Sequence, residues 1–105
     1  TGAELARPDR KYFRFMHLCD GPAGPNGDPV LDDVNDELML FTAREGRLYP
    51  GEGAMDIAGM VSAMPGVPLS IELPNLKRMR EMGAEGHARR CLESSKAYFA
   101  AHGVD

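Results

Sequence analysis

His17 ends the aromatic run 12–19 (YFRFMHLC), and Glu72 stands near the end of the apolar run 67–73 (VPLSIEL). An imidazole and a carboxylate at such places form a metal pair or an acid/base pair, because neither sits in an apolar strand without a partner. Such donors suit Mn²⁺, Zn²⁺, Co²⁺ or, less readily, Mg²⁺. A metal held there would polarise a carbonyl, while the carboxylate trades a proton at the adjacent carbon. The bland alternative is a buried pair satisfied by hydrogen bonds alone. Asp20 follows closely and either positions a substrate, orients His17, or starts an Asp-Gly turn. Arg47 precedes the Pro50-Gly51 turn and could hold a phosphate or a carboxylate, or could simply be solvated. Cys19 shares parity with His17 and reads as a small packed thiol. Glu52 is expected to face solvent. His87, His102, Lys77, Arg78, Arg80, Arg89 and Arg90 are expected on wet helical surfaces.

The elements that must position these residues follow from periodicity. Alternation over 12–19 places Phe13, Phe15, His17 and Cys19 on one face of a strand, with both faces largely apolar, as in a buried parallel strand. The segment 20–29 (DGPAGPNGDP) is a long loop of turn formers after that strand's C-terminal end, where α/β proteins place their chemistry. Residues 31–45 predict a helix with Leu31, Val34, Leu38 and Phe41 on one face. Asp56 caps a helix over 57–64, whose Ile57, Met60, Val61 and Met64 form an apolar stripe. Pro65-Gly66 ends it, and the strand 67–73 puts Ser70 and Glu72 on one face. Asn75 is an N-cap for a last helix, broken at Gly83 and resuming to about residue 101. Its expected buried face is Ala88, Cys91, Leu92, Ser95, Tyr98 and Phe99. No internal repeat is present.

With 105 residues, 43% hydrophobic residues and a net charge of −4, the chain fits a single small domain or a piece of a larger one. The acidic balance argues against nucleic acid as a partner. No run reaches the ~18 apolar residues of a membrane span, and the opening residues are not a signal peptide. Cys19 and Cys91 are expected as reduced thiols, which points to a cytoplasmic protein. Two strands joined by a helical crossover are expected to run parallel and right-handed. Two such strands expose both edges. The chain is therefore expected to be a homo-oligomer or the tail of a larger α/β protein.

The segments 17–22 (HLCDGP), 46–56 (GRLYPGEGAMD) and 69–75 (LSIELPN) resemble the sugar phosphate isomerase/epimerase family, the xylose-isomerase-like TIM barrels. The resemblance implies an α/β fold in which residues 1–105 supply the last two strand–helix units of a (β/α)₈ TIM barrel. A whole barrel takes about 250 residues. The resemblance also implies one divalent metal at the C-terminal mouth, held by Glu, Asp, His and Glu of the last four strands. His17 matches the histidine of the seventh strand and Glu72 the glutamate of the eighth.

The implied activity is a metal-dependent isomerase or epimerase of a sugar or sugar phosphate. The competing readings are a lyase of the same fold, such as an inosose or dehydroshikimate dehydratase, and a non-catalytic fragment or assembly module. An apurinic endonuclease fits less well, because the mouth loops lack basic and aromatic residues.

Overall fold

The computed structural model describes residues 1–24 and 35–104. In chain order these are helix α1 (Gly2–Leu5), a 3₁₀ turn (Arg10–Tyr12), strand β1 (Met16–Leu18), helix α2 (Asp36–Arg44), helix α3 (Ile57–Ala63), strand β2 (Leu69–Ile71) and helix α4 (Leu76–His102). The expected loop 20–29 and helix 31–45 fall partly on residues 25–34, outside the described residues.

β1 and β2 pair in parallel, with Met16 opposite Leu69, His17 opposite Ser70 and Leu18 opposite Ile71. Met16 N–H donates to Pro68 O, and Glu72 N–H donates to Leu18 O, which extends the ladder to Glu72. Beyond the strands, two antiparallel bridges, Asp20 with Leu48 and Gly46 with Asn75, stitch the crossover to both strand ends. Caps act where the residue types allow them. Asn35, Asp56 and Asn75 each accept a backbone N–H of the following helix's first turn. Within α4, Gly83 adopts φ 76°, ψ 165°, a region open essentially to glycine, and this kinks the helix.

These elements do not make TIM-barrel units, and the expected fold class is corrected on that point. Among the described residues there is one sheet of two strands, each three residues long. No residue of α2 is buried, so α2 does not lie on the sheet as a barrel's outer helix would. The chain is a small α/β unit. The expected strand 12–19 is shortened because Arg10–Tyr12 forms a 3₁₀ turn capped by Asp9, and Phe15 is left exposed. Apolar character alone does not make a strand where no neighbour offers ladder hydrogen bonds. The core is small and local. Tyr49, Leu73 and Cys91 pack together with Cys19 against them, while Leu18, Ile57, Met64 and Val67 are also buried. On α4 the buried positions are Cys91 and Ser95, with Tyr98 and Phe99 half-buried, whereas Ala88 and Leu92 are exposed, contrary to expectation. None of the described helices is long and apolar enough to cross a membrane.

Candidate functional site

His17 lies in the middle of β1 and Glu72 immediately follows β2. The parallel register sets His17 opposite Ser70, and Glu72 is two residues further along the same face. The two side chains meet: His17 Nδ1 is 2.5 Å from Glu72 Oε2, and each side chain is about half exposed, at 50% and 47%. A carboxylate bound to Nδ1 leaves the imidazole's other nitrogen toward solvent and fixes its ring orientation. The second oxygen, Oε1, stands 4.0 Å from Arg47 Nη2.

Arg47 is positioned by a strand-like join to the second strand's end. Its N–H donates to Pro74 O, and its carbonyl accepts from Asn75 Nδ2 at 2.9 Å. The guanidinium donates from Nε to Ala43 O at 3.2 Å and from Nη1 to Cys19 Sγ at 3.3 Å. It therefore bridges the end of α2, the thiol after β1 and the carboxylate after β2. The thiol contact had no signal in sequence beyond the shared parity of Cys19 and His17.

Asp20 is placed quite differently. It is only 2% exposed, and its carboxylate accepts four backbone N–H groups. Gly21 and Met55 donate to Oδ1 at 2.8 and 3.1 Å, and Gly51 and Gly53 donate to Oδ2 at 2.9 and 3.0 Å. A carboxylate offers about four lone-pair sites, so none remains for a substrate. The glycines of the segment 50–53 (PGEG) are what make this possible. Gly51 adopts φ 92°, and a Cβ on Gly53 would collide with Gly21 O and Asp20 Oδ1. Of the alternatives read from sequence, Asp20 takes the turn-forming one, extended to a whole loop.

A second network lies behind this loop. Glu52 is exposed, as expected, and also accepts from Tyr49 N–H and from Arg78 Nη1 at 2.6 Å. Arg78, expected on a wet face, sits 4.2 Å from the Tyr49 ring centroid and is three-quarters buried. The Glu52 hydrogen bond holds its guanidinium's affinity for a proton above the ordinary arginine level. His87, also expected on the surface, has Nε2 2.9 Å from Leu73 O and Nδ1 2.9 Å from Tyr49 OH. Nε2–H donates to the carbonyl, so Nδ1 accepts from the phenol. Burial pushes the Tyr49 phenol and the Cys91 thiol up from their ordinary values. The spacing of His87 and Cys91, one helical turn apart, was the available signal for this network. His102 reaches only its own helix, with Nδ1 2.8 Å from Tyr98 O.

The donor set does not by itself fit a catalytic metal. His17 and Glu72 point their facing atoms at one another, and catalytic centres take about three protein ligands. Among the described residues no group of three or more His, Cys, Asp or Glu side chains could hold an ion. What the arrangement can do unaided is move a proton: a carboxylate steadied by an imidazole on one oxygen and flanked by a guanidinium on the other. Compared with known proteins, the chain matches no family model, no curated protein and no solved structure.

Proposed function

We propose that this chain carries a proton-transfer centre acting next to a carbonyl, as in an isomerase or epimerase of a sugar or sugar phosphate. The observation that supports it is the His17–Glu72 pair, 2.5 Å apart and half exposed, with His17 in β1 and Glu72 just past the adjacent parallel strand β2. The sugar class rests on the short motifs that resemble those of sugar phosphate isomerases and epimerases. In this reading Glu72 Oε1 takes the proton from the carbon beside the carbonyl. His17 holds Oε2 and keeps the carboxylate aimed. The electron pair left on carbon moves onto the carbonyl oxygen, and the Arg47 guanidinium beside Glu72 stabilises the enediolate that forms. Return of the proton from Glu72 to the neighbouring carbon, with the hydroxyl proton passing to the former carbonyl oxygen, gives an isomer. Protonation of the original carbon by water on the opposite face gives an epimer, and Glu72 then gives its proton to the hydroxide left behind.

The test is incubation of the protein in heavy water with a panel of ketoses and ketose phosphates, followed by mass spectrometry of the recovered sugar. Deuterium at the carbon next to the carbonyl in at least one member supports the reading. A panel with no incorporation, with and without added divalent metal, removes it.

A further inference from the structure

Arg47 has a second side. Away from Glu72 its guanidinium lines a groove of about 380 Å³, together with Cys19, Leu38, Met39, Met55 and Met60. That volume falls at the lower end of the roughly 300–1,000 Å³ of small-molecule sites. The walls are mostly aliphatic and thioether side chains from α2, the loop before α3, and α3 itself, with Thr42 of α2 among them. Leu38 and Met39 are about half exposed there, with no core behind them. Among the described residues the single cation in this lining is Arg47. Among the described residues the one acid in this lining, Asp20, has its carboxylate enclosed by four backbone N–H groups, while Glu72, outside the lining, keeps Oε1 4.0 Å from Arg47 Nη2. Of Arg47's five N–H donors, two are engaged among the described residues, by Ala43 O and Cys19 Sγ.

We infer that this groove is a binding site for a small aliphatic or thioether carboxylate, its carboxylate on Arg47 and its apolar body against Leu38, Met39, Met55 and Met60. Charge complementarity fixes one end of the ligand and the methionine-rich wall fixes the other, since thioethers adapt to a variety of apolar shapes. A polyol suits this wall less than an apolar body does, because Thr42 is the one hydroxyl side chain among the described lining residues and most of a polyol's hydroxyls would lose water without gaining a partner. The site goes beyond the proton-transfer reading: it needs neither His17 nor Glu72, and the residue it shares with that reading is Arg47.

Cys19 lines the groove, which supplies a readout independent of activity. The probe is 4-methylpentanoate, and the measurement is the rate of iodoacetamide alkylation at Cys19, resolved by peptide mass, with buried Cys91 as internal reference. The acid slows Cys19 alkylation saturably, reaching about tenfold at ten times its half-effect concentration, because only the unoccupied fraction reacts. The amide 4-methylpentanamide and inorganic phosphate leave the rate unchanged. Arg47→Met abolishes the protection. So does Met39→Glu, at a position 59% exposed where the fold is not at stake. His17→Gln keeps the parent's protection while losing any proton-transfer activity, so the two readings fail separately. Absence of protection by the acid, equal protection by the amide or by phosphate, or loss of protection in His17→Gln overturns the assignment.

Discussion

Two carboxylates follow the two strands, Asp20 after β1 and Glu72 after β2, and they are treated in opposite ways. Asp20 is buried and surrounded by four backbone N–H groups from two segments of chain. Glu72 is half exposed, and its side-chain partners are an imidazole and, more distantly, a guanidinium. A buried acid with every lone pair matched is part of the fold, because removing its acceptors strands donors away from water. An acid with one steadying partner and one open oxygen costs the fold little and remains able to exchange a proton. The lesson is that proximity to a strand end does not mark a reactive carboxylate; the identity of its donors does.

The comparison is broken most directly by removing Asp20's charge. Asp20→Asn keeps an acceptor for two of the four N–H groups but turns an amide donor toward the other two. We expect a loss of about 2–4 kcal/mol of unfolding free energy by urea titration. A loss below about 1 kcal/mol would mean that water replaces the carboxylate readily. Gly53→Ala attacks the same knot from the other side, because its Cβ would meet Gly21 O and Asp20 Oδ1. Its cost should be similar to that of Asp20→Asn, and the double variant should show less than the sum, because both changes break one network.

A smaller effect is expected at alkaline pH. Burial raises both Cys91 and Tyr49 in the folded chain. A group whose folded value lies above its unfolded one stabilises the protein fully below the unfolded value, and that stabilisation fades as pH rises through the folded value. The urea midpoint should therefore fall as pH rises above the ordinary thiol range of about 8.5. A midpoint that rises there contradicts the packing of the Tyr49–Cys91 core. The smallest effect belongs to Glu72→Gln, whose exposed ion pair should change stability by no more than about 1 kcal/mol.

The His17–Glu72 contact was legible because strand parity is a strict period of two, and both residues sit near strand ends with turn residues beyond them. The helices over 57–63 and 76–102, their caps Asp56 and Asn75, and the break at Gly83 were legible for the same local reasons. The barrel was not, because strand ends followed by glycine loops satisfy local geometry in any α/β unit. Here the segment 50–53 (PGEG) serves to wrap Asp20, a demand of this loop rather than of a barrel. The roles of Glu52, Arg78 and His87 were hidden for another reason. Each has an ordinary surface pattern along its own segment: Arg78 and His87 gain Tyr49 only through tertiary packing, and Glu52, whose bond to Tyr49 N–H is local, gains Arg78 in the same way.

The central claim is that Glu72 is the carboxylate that reacts. It is tested by the rate of deuterium wash-in from heavy water, at the carbon next to the carbonyl of whichever ketose the parent protein exchanges, in Glu72→Gln. Glutamine keeps the shape and an oxygen for His17 but cannot take the proton, so the rate should fall by about 10²–10⁴-fold, with substrate binding and the urea midpoint little changed. Wash-in at the parent's rate would place Glu72 with Asp20, as a carboxylate that only holds structure.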